Sequence, residues 1–263
     1  IFDYTICVSW THKLSINVMS KTIILIPSRL SATRLPGKPL LKINGISIIS
    51  HVVKKAKEAD IADVYVATED KEIADDVNLN GGKAILTSNK HKTGSDRIFE
   101  CFEKLNLINI DYIINLQGDE PNIEIKDLKH LKKLIEVSKP EMATLASEID
   151  DKSKLMNENI VKVITDNKIN DKNFPVALDF KRKVNDFNAN IYHHLGVYAY
   201  KPDILKRIIK YKQTNNEIQN RLEQLRALEN GIKINVALAK FCPIGIDTME
   251  DYIALKKKLE YKS

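Results

Sequence analysis

Three cations stand within a ten-residue span that follows a short aliphatic run. Residues 23–26 are Ile-Ile-Leu-Ile, then come Arg29 and Arg34, and Lys38 after Pro36-Gly37. Ser28, Ser31, Ala32 and Thr33 among them are small. A phosphate could therefore approach backbone N–H groups there while arginine forks and a lysine point charge neutralise its oxygens. That many cations suit a triphosphate. The aliphatic run is β-branched and stopped by Pro27, the pattern of a strand buried on both faces. In an open parallel sheet, ligands bind beyond the carboxyl ends of the strands, where this loop would lie.

Three further stretches carry chemistry. His91-Lys92-Thr93-Gly94-Ser95-Asp96-Arg97 leads into Ile98, Phe99, Phe102 and Leu105 at helical spacing. A helix N-terminus suits anions or base edges, and a plain N-cap by Thr93 or Ser95 accounts for part of the pattern equally well. Residues 111–116, DYIINL, read as a buried strand that delivers Gln117-Gly118-Asp119-Glu120-Pro121 at its end. Carboxylates in that position can hold Mg²⁺, which takes a few carboxylates together with substrate phosphates. Asp119 is the first candidate ligand, although Asp is also common in turns. Asp247-Thr248 precedes the last helix, where Asp247 reads equally as part of a cap.

The elements that position these residues alternate. Residues 46–56 have helical spacing, 63–68 (DVYVAT) read as a strand, 71–80 as a helix closed by Gly81-Gly82, and 83–87 as a strand. Residues 125–137 form an amphipathic helical pattern, and 142–147 and 159–165 read as strands. Residues 174–180 could be another. Residues 192–200, YHHLGVYAY, are aromatic and partly alternating, a strand that sets His193 and His194 on opposite faces. Helices follow at 204–211 and 217–230, a strand at 232–239, and a last helix. Strands alternating with helices, with no linker or repeat, predict a doubly wound α/β sheet, mostly parallel, in a single domain over residues 19–263. Residues 1–18 precede Met19-Ser20-Lys21 and are expected to be an extension outside the fold.

Composition narrows the class. The 263 residues are 43% hydrophobic and 29% charged, enough for a substantial core. The net charge of +6 fits anionic substrates, and nonspecific nucleic-acid contact as well. No long basic block with interleaved aromatics supports the latter; Lys129 to Lys133 is interrupted by an apolar residue and Lys256 to Lys258 is flanked by Leu255 and Leu259, as on solvated helix faces. Cys7, Cys101 and Cys242 are far apart and form no CxxC, which indicates neither a disulfide framework nor a zinc knuckle and suits a reducing cytoplasm. The first 18 residues lack the apolar stretch of a signal or a membrane span.

Taken together, PSRLSATRLPGKPL, VATED, TGSDR, INLQGDEP, HHLGVYAY, LEQLRALE and GIDTMED, in this order over residues 23–260, resemble one family. It is the 3-deoxy-manno-octulosonate (Kdo) cytidylyltransferases, the CMP-Kdo synthetases of lipopolysaccharide assembly. The resemblance implies Mg²⁺-dependent transfer of CMP from CTP to the anomeric hydroxyl of Kdo, with release of pyrophosphate. It also implies a Rossmann-like nucleotidyltransferase fold with a smaller sugar-binding and dimerisation subregion, in a homodimer without nucleic-acid or membrane partners. Arg29, Arg34 and Lys38 match the triphosphate loop, Thr93, Gly94 and Arg97 the nucleotide-binding turn, and Gln117 lies near the cytidine. Asp119 and Asp247 match the metal-binding carboxylates, and with Arg29 and Lys38 make up the catalytic set. Arg182, His194, Tyr198, Glu223 and Gln224 occupy the positions around the acid sugar.

The chain departs from the family at residues 177–184. Where the family reads ALYFSR and then Ile-Pro, this chain has Asp179 and Lys181 in place of Tyr and Ser, and keeps Arg182. A charge pair there could accept a modified octulosonate such as an 8-amino form, or face solvent. Activation of another acid sugar is the nearest alternative, but the sialic acid type has a glycine-rich opening loop, IPARGGSKG, unlike SRLSATRLPGK. A nucleotide-sugar glycosyltransferase would place DxD where this chain has QGDEP.

Overall fold

In the computed structural model, β1 (Thr22–Ser28) is buried on both faces, as its composition requires. Ile24 and Ile26 enter one hydrophobic cluster, Ile23 and Leu25 another on the opposite side. The structure describes residues 21–31, 35–185, 190–243, 245–246 and 248–260. Arg34, Asp247 and the expected extension at 1–18 lie outside the described residues.

A small hairpin of β2 (Lys42–Ile43) and β3 (Ile46–Ser47) follows, then α1 (Ile48–Glu58), β4 (Asp63–Thr68), α2 (Lys71–Leu79) and β5 (Ala84–Leu86). Next come α3 (Gly94–Leu105), β6 (Tyr112–Asn115), α4 (Ile125–Ser138), β7 (Met142–Ser147), β8 (Lys162–Thr165), β9 (Ala177–Lys181) and β10 (Asn190–Tyr200). The chain closes with α5 (Pro202–Lys210), α6 (Asn215–Asn220), α7 (Gln224–Glu229), β11 (Ile234–Leu238) and α8 (Met249–Glu260).

The main sheet has the order β11-β7-β10-β6-β1-β4-β5, with β8 added to the free half of β10 and β9 to β8. β1 runs parallel to β4 and β6, β4 to β5, and β7 to β11, whereas β10 is antiparallel to both of its neighbours, β6 and β7. α1, α2 and α4 contribute to the cluster on one face, and α3, α5 and α7 to the other. The architecture is doubly wound and mostly parallel, with β8 and β9 as an antiparallel arm. The carboxyl ends of β1, β4, β6 and β7 share an edge, which the amino half of β10 joins from the opposite direction.

Several boundaries differ from the sequence reading. The helix expected from residue 46 begins at Ile48, because Asn44 and Gly45 both adopt positive φ (49° and 77°) and turn β2 back on β3. The helix expected over 217–230 is two. Thr214 and Glu217 cap α6 reciprocally, and Arg221 in the left-handed region (φ 54°) ends it before α7 starts. The strand expected from 159 begins at Lys162. Its preceding turn supplies two carbonyls, of Asn157 and Ile160, to the ammonium of the fully buried Lys162, which also donates to Arg182 O at 2.5 Å. β10 carries a register shift between Leu195 and Tyr198, at its glycine, Gly196.

Candidate active site

The loop after β1 is shaped by backbone geometry as well as charge. Gly37, at φ 71°, returns its N–H to Leu30 O at 3.1 Å, which delivers Lys38 to the first position of a short 3₁₀ turn. The Lys38 ammonium donates to Asp119 Oδ2 at 2.7 Å and to Ile246 O at 2.6 Å. Asp119 stands one residue past Gly118 in the turn after β6. A Cβ at Gly118 would meet Ile49 Cδ1 and Pro27 O, each at 3.1 Å, so the turn lies close against the end of β1.

A second wall comes from α3. Thr93 caps it reciprocally with Asp96, as one of the two sequence readings had it, and Gly94 follows at the helix start. Arg97, one turn along, is almost fully buried; its Nη1 donates to Thr87 Oγ1 at 2.8 Å and its Nη2 to Glu69. Gln117 completes this side. A Cβ at Gly196 of β10 would stand 2.9 Å from Gln117 Cγ, so the glycine is what lets β10 pass behind the glutamine.

Between these walls lies a cleft of about 370 Å³. It brings together Arg29, Lys38, Thr93, Gly94, Arg97 and Gln117, every described residue assigned to the nucleotide, with Asp119, assigned to the metal. His91 and Lys92 line it too, and from the sequence they were named only as the lead into the Thr93 turn, with no role of their own. Their signal was their place just before the Thr93 cap. His91 is held by Glu100, whose carboxyl would be raised by burial but is brought down to about 2 by Lys104, the Ser88 N–H and His91.

Glu120, next to Asp119, is in a different condition. Burial, with the charge of Asp119 adding to it, pushes its carboxyl up to about 8, against the N–H of Gly196 that it accepts. Its Oε2 has no hydrogen-bond partner among the described residues. Burial thus favours the neutral acid at Glu120, whereas Asp119 is the member of the pair that bonds the Lys38 ammonium.

The residues assigned to the sugar do not meet in one open pocket. Arg182 lines a separate cleft of about 670 Å³ with Asp179 and Lys181. Its guanidinium donates to the carbonyls of Asn220 (2.6 Å), Glu158 (2.8 Å) and Arg221 (3.3 Å). Asp179 and Lys181 pair with one another at 3.2 Å, on partly exposed side chains at the lining of that cleft. Tyr198, Glu223 and Gln224 surround a cavity of only about 10 Å³, room for about one water. The rings fill the rest. His194 stands edge-on to Phe180 (centroids 5.1 Å) and against Tyr198 (5.4 Å), and Tyr198 stacks on Tyr200 (5.9 Å). Burial, with His193 beside it, pushes His194 down to about 3, so its ring is neutral and bonds Thr144 Oγ1 at 3.0 Å. Glu223 is raised by burial and steadied by the hydroxyls of Ser95 and Thr93, which ties this group to the nucleotide turn. His193 faces away, its Nδ1 3.0 Å from Cys242 Sγ.

The cytidylyltransferase family model matches residues 23–234. The 3-deoxy-manno-octulosonate cytidylyltransferase of Rhodopseudomonas palustris (strain BisB18) is 39% identical over 244 residues, covering 92% of this chain and 99% of that protein. That of Thermodesulfovibrio yellowstonii is 41% identical over 249 residues, covering 90% and 98%. Among solved structures, a CMP:2-keto-3-deoxy-manno-octonic acid synthetase complexed with CTP superposes with a TM-score of 0.83 at 34% identity, over 93% of this chain and 100% of that one. A UDP-glucose pyrophosphorylase at 20% identity, over 93% and 100%, shares the fold with a TM-score of 0.70. With its strand-end cations, its Thr93 turn and its QGDEP segment arranged on this sheet, the chain belongs to the 3-deoxy-manno-octulosonate cytidylyltransferases.

Proposed function

We propose that the protein transfers CMP from CTP to Kdo and releases pyrophosphate, yielding the activated acid sugar for lipopolysaccharide assembly. The observation that carries this reading is the convergence of Arg29, Lys38 and Asp119 beside the Thr93 turn in one cleft. Attack of the sugar's anomeric hydroxyl on the α-phosphate gathers negative charge on the phosphoryl oxygens and on the departing pyrophosphate. Cations fixed in advance at those oxygens lower that barrier. Arg29 and Lys38 serve this role, and the α3 N-terminus offers its N–H groups to the same cleft.

Asp119 suits a Mg²⁺ site completed by substrate. Among the described residues no group of three or more acidic, His or Cys side chains could hold a metal alone, but Mg²⁺ needs only one or two carboxylates with phosphate oxygens and water. Asp119 pairs with Lys38, is about one-third exposed and lies at the cleft. When bound, Mg²⁺ would supply further charge neutralisation at the triphosphate. Asp247 would be the second carboxylate.

On the sugar side, neutral His194 would bond a sugar hydroxyl rather than ion-pair with the carboxylate, which leaves that anion to Arg182. Assembling this set requires the Tyr198–Glu223 cavity to open and to join the separate cleft that Arg182 lines. The enzyme is proposed to work in the cytoplasm, as a homodimer joined through the β8–β9 arm, where β9 pairs only with β8 among the described strands and Leu178 is 59% exposed. Among the described residues no helix is long and apolar enough to cross a membrane. Sedimentation of the pure protein is expected to give twice the chain mass.

The decisive assay measures pyrophosphate release for each nucleoside triphosphate against a panel of acid sugars, with and without Mg²⁺. Turnover with CTP and Kdo, dependent on the cation, is expected. Preference for an 8-amino sugar would move the substrate, and no turnover with any acid sugar would return the glycosyltransferase reading.

A further inference from the structure

The VATED segment carries two acidic residues that the reaction does not use, and each reaches one wall of the cleft. Glu69 and Asp70 follow the last residue of β4. Asp70 Oδ2 accepts the N–H of Leu30 at 2.7 Å, and Leu30 is the residue after Arg29 in the phosphate loop. Glu69 takes the Nη2 of Arg97, on the opposite wall. The turn between them is anchored from below. Asp70 N–H donates to the buried Thr68 Oγ1 at 3.1 Å, Thr68 O accepts Thr87 N at 2.8 Å, and Thr87 Oγ1 receives Arg97 Nη1 at 2.8 Å.

These bonds are expensive to lose. A guanidinium 3% exposed demands a charge partner, and Glu69 is the carboxylate that pairs with it. A loop between a strand and a glycine turn has few contacts of its own, so a carboxylate on its N–H sets where Arg29 stands. Because both attachments start from adjacent residues on a buried strand end, the spacing between the walls follows from the length of one dipeptide.

We propose that Glu69 and Asp70 are positioning residues that hold the phosphate loop and Arg97 at the separation CTP requires, so that the cleft is formed before the nucleotide arrives. The proposal rests on the reading of this cleft as the CTP site. Preorganisation of this kind appears in substrate affinity more than in the chemical step.

The test compares wild type with Glu69→Ala, Asp70→Ala and Asp70→Asn, measuring KM for CTP, KM for Kdo, kcat and the thermal midpoint. Asn keeps an acceptor oxygen for Leu30 N–H. For each Ala variant, KM for CTP is expected to rise about 10- to 100-fold, the weight of one charge-assisted hydrogen bond. KM for Kdo should stay within about threefold, and Asp70→Asn should recover most of the CTP affinity. Loss of kcat with an unchanged KM for CTP would reduce both residues to general stabilisers and overturn the proposal, as would an Asp70→Asn variant as weak as Asp70→Ala. Calorimetric titration of the wild type with CTP separates the two levels. Failure to bind CTP there rejects the functional reading itself, whereas wild-type binding with unaltered Ala variants rejects only the positioning role.

Discussion

Lys38 joins three stretches of chain at one ammonium: its own turn, Asp119 after β6, and Ile246 before α8. Lys38→Met keeps most of the stem's packing while removing the charge proposed to face the leaving group. It is expected to lower kcat by about 100-fold or more with the circular dichroism spectrum unchanged. Asp119→Asn should abolish Mg²⁺-dependent turnover while leaving the fold; near-normal activity would remove Asp119 from the metal site. Gly196 gives a subtler case. A methyl there would press on Gln117 Cγ at 2.9 Å and on Glu120 Oε1 at 3.5 Å, so Gly196→Ala should displace the glutamine. The expected result is a KM for CTP several-fold higher, on the scale of about 1 kcal/mol of lost binding, in a protein that melts almost as the wild type does.

Lys162 shows how an element is fixed by one side chain. Its ammonium occupies carbonyls from the turn before β8 and from the end of β9, at 2.5–2.8 Å and without a carboxylate partner among the described residues. Lys162→Met leaves those acceptors buried and unpaired, and urea unfolding should register a loss of about 2–4 kcal/mol. At the loop before α3, the depressed carboxyl of Glu100 contributes stability that is complete above its ordinary value of 4.5 and is lost as pH falls through about 2. The thermal midpoint of wild type should therefore drop more steeply between pH 5 and pH 2 than that of Glu100→Gln. The central strands were legible because short apolar runs such as the aliphatic 23–26, and 112–116 with its two isoleucines, suit burial on both faces. The break at Arg221 was not, since helix-forming residues continue through it and the left-handed turn is held by a backbone bond from Leu222 to Glu217. In the same way Arg29, Lys38, Thr93 and Asp119 could be read from their places at strand and helix ends. Glu69 and Asp70 could not, because their partners lie on other elements, and two acids after a strand look like an ordinary turn.

For the molecule as a whole, the net charge of +6 draws CTP and Kdo alike, and raising ionic strength should increase both KM values before it changes kcat. The placement of β10 has a different consequence, for the order in which the chain can fold. β1, β4, β5 and β6 are the first four strands of the main sheet and pair among themselves, whereas β7 is bordered by β10 and β11, both later in the chain. All six residues of β7 are buried in the finished sheet, so until β10 is made it is an unpaired apolar edge of the kind that recruits other chains. Hydrogen exchange during refolding should protect the amides of β1, β4 and β6 before those of β7 and β11. Pairing of the antiparallel strand β10 is thus the step that covers β7, and the growing chain is expected to be most in need of a chaperone between the synthesis of β7 and that of β10.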